Sequence, residues 1–329
     1  MCLYMAHGGT NFGLWAGANR EDGELLSTVT SYDSDAPIAE DGTLTEKFFA
    51  MREALGASAP IVSQQPRTLA ARTLPTTPGR NLDDALDLLA GPAVDVATTV
   101  AFEDLSLDAG MLLLDADVLL PGDDVSLAFP QVADRATVRL DGRRLGAVQE
   151  SGSIDLGPRG VGGTGRLHVI VENLGRVNYG WSLGERKGLL APALLGRRAV
   201  QRWRARPLDL ADAGPDDLTR LRERSPGESG SPAVELDGAG VAFATPTLTE
   251  VADTHLALPG FERGLVWVND FLLGRYWEVG PQETLYVPAP LLHRGENVIT
   301  VLELERRGSA VELRARPSLG PEESYIEEF

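Results

Sequence analysis

Two short stretches constrain the fold of this chain more than anything else in it. "VRLDGRRLG" (138–146) and "VWVNDFLLG" (266–274) align at Val138 with Val266, Leu140 with Val268, Leu145 with Leu273 and Gly146 with Gly274. Each has a polar pair at its centre, Asp141-Gly142 in the first and Asn269-Asp270 in the second. Asp-Gly between alternating apolar residues is the strongest short signal for a β-hairpin. About 20 residues further on, each copy has another glycine followed by a strand-like run, "GRLHVIVENL" and "GENVITVLELE". A hairpin and a third strand repeated at matched spacing predict two related antiparallel domains. The surrounding residues agree. "LLLDADVLL" and "ATVRLDGRRLGAV" are short strands separated by Gly, Pro and Asp, the pattern of an antiparallel sandwich or barrel.

The chain before residue 96 reads differently. Residues 1–57 suggest a strand ("CLYM"), a long loop and a helix. In "TLTEKFFAMREALG" the spacing of Thr43 and Glu46 predicts a capping box, in which hydroxyl and carboxylate satisfy exposed backbone N–H groups reciprocally. Leu44, Phe48, Met51 and Leu55 follow at helical spacing as one apolar stripe, and Gly56 supplies a left-handed stop. One strand and one helix cannot bury that stripe alone. Residues 58–95 are rich in Pro, Thr and Ala and read as a linker, with a short helix at "LDDALDLLAG". The expected organisation is then a first sandwich over 96–207 and a second over 208–329. "RLRERSPGESGSP" marks a further linker or an exposed loop.

Composition narrows the function classes. Of 329 residues, 48 are acidic and 30 are Lys or Arg, a net charge of −18. Nucleic acid and anionic membranes would be repelled by such a surface, so neither is expected as a partner. The single cysteine, Cys2, excludes an intrachain disulfide, and the four histidines lie too far apart in sequence for a metal-ligand motif. No metal and no cofactor is expected. No apolar run reaches the roughly 18 residues of a membrane span. The start of the chain has no signal-type segment, and acidity with one cysteine fits a cytoplasmic location.

Candidate chemistry concentrates near the N-terminus. "SYDSDAPIAEDG" (31–42) places Asp33 and Asp35 two residues apart. Hydrolytic carboxylates must flank a scissile bond, roughly 5–9 Å apart, which loop neighbours seldom achieve. An Asx-type turn before Pro37 is the better account. His7 has no nucleophile beside it in an elbow motif, and "HGGTNFG" lacks the Gly-Lys-Ser/Thr of a phosphate loop. Tyr4, Phe12, Trp15 and Tyr32 could stack on the apolar face of a sugar, or serve as ordinary core aromatics.

"LYMAHGGTNFGLWAGAN", "TSYDSDAPIAEDGTLTEKF", "ENLGRVNYG" and "GRYWEVGPQETLYVPAPLLHRGENVITVLELE" together resemble the β-galactosidases of glycoside hydrolase family 35. The resemblance implies a mainly β chain, with two jelly-roll-like antiparallel sandwiches preceded by the last β/α unit of a (β/α)8 barrel. It also implies a retaining mechanism, in which one glutamate protonates the leaving oxygen and a second forms a covalent glycosyl-enzyme. No glutamate in this sequence matches either position, so no catalytic residue is assigned; Glu40 and Glu46 are not substitutes. Tyr4 matches a galactose-contacting tyrosine of the family. In the family's "SYDYDAP" a second contact tyrosine stands where this chain has Ser34, while Tyr32 keeps the first tyrosine. Tyr4, Tyr32 and Ser34 are therefore the candidate substrate-binding residues. "GRVNYG" and "GRYW" match as packing signatures.

The expected function is that of the C-terminal part of a β-galactosidase acting on terminal β-galactosides, inactive by itself. The alternatives are a non-catalytic carbohydrate-binding sandwich protein, or a subunit that completes a barrel supplied by another chain. A barrel-supplying chain or a homo-oligomer are the expected protein partners.

Overall fold

A computed structural model describes residues 5–21, 23–33, 36–61, 66–120, 125–157, 163–223 and 238–320. The chain is mainly β and divides into two compact units. One comprises 17–28 and 86–213; the other comprises 1–16, 29–85 and 214–329.

The 86–213 unit is a sandwich. Its larger sheet runs Arg143–Gln149, Arg135–Leu140, Thr164–Glu172, Met111–Leu119, Trp203–Leu208 and Val94–Val96, every neighbour antiparallel. The facing sheet runs Gly152–Asp155, Ser126–Phe129, Leu194–Leu195 and Arg198–Ala199. Alternation decides the inner face. Leu112 and Leu114, Val138 and Leu140, and Leu167, Val169 and Val171 enter one core with Leu127, Phe129 and Ile154 of the facing sheet.

The other unit repeats the plan. Five strands run Phe271–Trp277, Arg263–Val268, Ile299–Glu303, Gly240–Ala244 and Thr77–Asn81. Four more run Thr284–Val287, Thr254–Ala257, Ala310–Arg314 and Arg72–Pro75. Val266, Val268, Val301 and Leu273 meet Leu256, Leu285, Val311 and Leu313 between them. The helix Pro215–Arg222 buries Leu218 and Leu221, and its Arg222 donates to Thr300 Oγ1 on the five-stranded sheet at 3.2 Å.

The repeated hairpins are built alike. Val138 lies opposite Gly146 and Val266 opposite Gly274, and in both the register slips by one residue immediately afterwards. Asp141 and Asn269 both sit in the left-handed region, at φ 51° and 54°. Each then makes the same two-way contact with the third strand. Asp141 N–H donates to Arg166 O and its side chain accepts from Arg166 N–H; Asn269 does the same with Val298. Asp and Asn suit both demands, because they tolerate that backbone and carry a short acceptor.

Two expectations need correction. Residues 58–95 are not only a linker, since Arg72–Pro75 and Thr77–Asn81 are edge strands of both sheets of their unit. Pro75 and Pro78 disguise them, yet an edge strand is where a residue lacking N–H is tolerated. The expected short helix does form, at Leu82–Leu89. The boundary at residue 57 also differs, because Gly17–Thr28 belongs to the unit containing 86–213.

The helix Glu46–Ala54 forms as expected, but its cap is Thr45, not the Thr43–Glu46 box. Thr45 Oγ1 accepts from Phe48 N–H at 3.4 Å and donates to Pro37 O at 2.8 Å, an anchor the linear pattern does not reveal. Gly56 closes the helix at φ 60°. No residue of this helix is fully buried; of its apolar stripe Leu44, Phe48 and Met51 are half-buried and Leu55 is exposed.

Candidate functional site

Two loop segments of the sequence, 5–16 and 29–33, meet in the unit that contains residues 1–16 and 29–85. Asn11 N–H donates to Thr30 O at 2.7 Å, and Tyr32 N–H to Gly9 O at 3.0 Å. Ile38 N–H donates to Ala6 O at 3.0 Å. Gly8 lies so close to Tyr32 that a Cβ there would stand 1.8 Å from the Tyr32 carbonyl oxygen, so only glycine fits. Gln282 fastens the second loop from below. Its Oε1 accepts from Thr30 and Ser31 N–H, and its Nε2 donates to Thr30 Oγ1 and Thr284 O. Phe12 meets Phe271 edge to face at 5.3 Å, and Gly13 N–H donates to Leu273 O. A side chain on Gly274 would strike Thr30, so that repeated glycine is where this segment settles on its sandwich.

This lattice pins the backbone of Tyr32 and leaves the residue 43% exposed. Tyr4 and Ser34 lie outside the described residues. Asp33 is a turn residue, as its spacing suggested. Its carboxylate accepts from Ala36 N–H at 3.4 Å and Glu40 N–H at 2.8 Å. His7 is exposed, with Nε2 3.3 Å from Glu40 O.

The residue that sequence reasoning missed is Glu40. It is buried, and its carboxyl accepts from the Thr10 hydroxyl through Oε1, while Oε2 has no hydrogen-bond partner among the described residues. Burial pushes its pKa from 4.5 up to about 7, with Asp33 and Asp41 adding repulsion. The folded state therefore holds this proton more tightly than the unfolded chain does. The corresponding stability is full below pH 4.5 and is lost as pH rises through about 7. At about 1.4 kcal/mol per unit, Glu40→Gln is expected to remove roughly 3 kcal/mol of that pH dependence. Urea unfolding at pH 5 and pH 8 measures it; equal slopes in the two proteins would place the proton elsewhere.

"GRVNYG" is a packing station in the unit that contains 86–213. A Cβ on Gly175 would stand 2.2 Å from Gly17 O, so its absence lets the Ala18–Glu21/Glu24–Ser27 hairpin seat there. Ala18 N–H donates to Arg176 O at 3.0 Å. Arg20 pairs with Glu150 at 2.5 Å and with Glu185 at 3.5 Å. Behind them Lys187, fully buried, bonds Asp134 and Glu185, both at 2.6 Å.

Two sandwiches built on one hairpin plan, one of them carrying a loop segment set with aromatic side chains, define a multidomain β-sandwich class. Three family models match the chain: glycosyl hydrolases family 35 over residues 1–58, the first all-beta domain of beta-galactosidase over 99–209, and the beta-galactosidase galactose-binding domain over 241–297. Beta-galactosidase-1-like protein of Mus musculus is 38% identical over 324 residues, covering 92% of this chain and 48% of that protein. Beta-galactosidase of Bos taurus is 35% identical over 328 residues, covering 92% and 49%. The chain belongs to glycosyl hydrolase family 35, with the all-beta domains of its β-galactosidases. It spans about half the length of the curated relatives it matches. An α-L-rhamnosidase of Streptomyces avermitilis aligns in structure over 74% of this chain and 27% of that one, with 15% identity and a TM-score of 0.25, too low to bear on function.

Proposed function

We propose that this chain forms part of a retaining β-galactosidase that releases terminal β-linked galactose, and that alone it does not turn over galactosides. The observation that carries this is the run of three family matches in chain order, with 38% identity to a relative across 92% of the chain. Retaining hydrolysis needs two carboxyl groups roughly 5–5.5 Å apart across the anomeric carbon. Three acidic side chains of this segment have environments that do not form such a pair. Both Asp33 oxygens take backbone N–H groups, Glu40 is buried against the Thr10 hydroxyl, and Glu46 begins a helix. A barrel, on the same polypeptide or another, would supply the acid and the nucleophile. Tyr4, Tyr32 and Ser34 would then form one wall of its galactose pocket.

A chromogenic β-galactoside is expected to stay intact with the purified 329-residue chain. Turnover abolished by mutation of a carboxylate in this chain would overturn the proposal. The galactose-binding-domain match over 241–297 favours a second reading, in which this chain binds carbohydrate without cleaving it.

A further inference from the structure

We infer that the unit containing residues 214–329 carries a shallow site for one neutral hexopyranose, at the open end of its sandwich and centred on Trp277, Glu278 and Glu283. The inference rests on the carbohydrate-binding reading above and is tested separately from it. A cavity of about 230 Å³ lies there, with Val29, Phe261 and Leu285 in its floor and Trp277 in its wall. Pockets for drug-sized ligands run from about 300 to 1,000 Å³, so this one suits a single ring.

Its chemistry is that of a polyol site. Glu278, Glu283 and Arg314 surround an apolar floor. Each is fixed by a neighbour through only part of its hydrogen-bonding capacity. Glu278 Oε2 takes Arg306 Nη2 at 3.0 Å, and Arg306 is held in turn by Gly260 O. Glu283 Oε2 takes Ser318 Oγ at 2.7 Å. Arg314 spends Nε and Nη2 on Glu312 at 3.0 and 2.8 Å. The second oxygen of each glutamate and Nη1 of Arg314 are not used by these contacts. Sugar hydroxyls can both donate to such oxygens and accept from such an N–H, whereas two glutamates disfavour an anion. The loop bearing both glutamates is set by Gln282, whose four hydrogen bonds make it scaffold and not ligand. Arg263 lies 5.0 Å from the Trp277 ring centre and steadies that indole in the wall. The polar groups are thus pre-positioned, which reduces the ordering cost of binding.

The test is a titration of the full ¹⁵N-labelled chain with methyl β-D-galactopyranoside, followed through backbone amides and tryptophan indoles. Saturable shifts are expected at Trp277, Glu278 and Glu283. Since a hydrogen bond to a charged group is about twice as strong as a neutral one, Glu278→Gln and Glu283→Gln should each weaken binding about tenfold. Both keep the shape of the wall, and unchanged spectra elsewhere verify their folds. Saturable shifts confined to other residues, such as those around Tyr32, would overturn this site and leave the carbohydrate reading standing. No saturable shift anywhere would overturn both.

Discussion

Glu303→Ala is expected to destabilise its unit by about 3–5 kcal/mol, because each buried donor left unsatisfied costs about 1–3 kcal/mol and several lose their acceptor at once. Glu303 is fully buried at the end of the strand Ile299–Glu303. Its carboxylate accepts from the backbone N–H groups of Glu262, Arg263, Glu305 and Arg306, and from Tyr276 Oη–H at 2.8 Å. One side chain thus fastens the start of Arg263–Val268, the turn after Ile299–Glu303 and the buried tyrosine of "GRYW". Alanine removes the acceptor of Arg263, Glu305 and Arg306 N–H and of the Tyr276 hydroxyl, while Glu262 N–H keeps Arg306 O at 3.2 Å. Glu303→Gln keeps the volume but turns an NH₂ toward N–H donors, so an intermediate loss is expected. Urea midpoints measure both. A loss below about 1 kcal/mol for alanine, the net worth of an ordinary hydrogen bond, would mean that water replaces the carboxylate.

Lys187→Met should cost the other unit a similar amount, about 3–5 kcal/mol, because it leaves a buried carboxylate without its cation. Asp134 is fully buried and its second oxygen accepts from Leu174 N–H at 2.7 Å. Burial already raises the Asp134 pKa, against the pull of Lys187. Without the ammonium it rises further, so the folded variant keeps the proton. Its stability is then best retained below the unfolded pKa of 3.8 and declines as pH rises through the raised value. The deficit should be smaller at pH 5 than at pH 8. Adding Asp134→Asn removes the stranded charge while preserving an acceptor for Leu174, and should recover much of the loss. Failure of that double variant to recover would assign the effect to packing of the lysine stem.

The hairpins were legible because their information is local. Asp141 and Asn269 need a left-handed backbone and an acceptor, and both demands fall on one residue type. The inner faces were legible for the same reason, since Leu167, Val169 and Val171 alternate along one strand. Arg72–Pro75 and Thr77–Asn81 were not, because edge strands obtain their pairing from partners far along the chain. The cap at Thr45 depends on Pro37, and the burial of Glu40 depends on Thr10, 30 residues away. "AED" in a loop looks solvated until that tertiary contact exists. Asp33 was correctly read as a turn residue because its acceptors serve backbone within seven positions.

The edge strands also bear on the order in which the chain acquires structure. Thr77–Asn81 pairs with Gly240–Ala244, and Arg72–Pro75 with Ala310–Arg314. Between them lies the uninterrupted stretch 86–213, which holds nearly all of the other unit. Ends that distant meet only after a long closure, and topologies of that kind fold slowly. During synthesis, which runs N-terminal first at roughly 5–20 residues per second, the inner sandwich can condense on the ribosome while residues 72–81 still wait for their partners. Those two proline-bearing strands are then the last-satisfied edges of the nascent chain, and their prolines help keep them from pairing with the wrong neighbour in the interval.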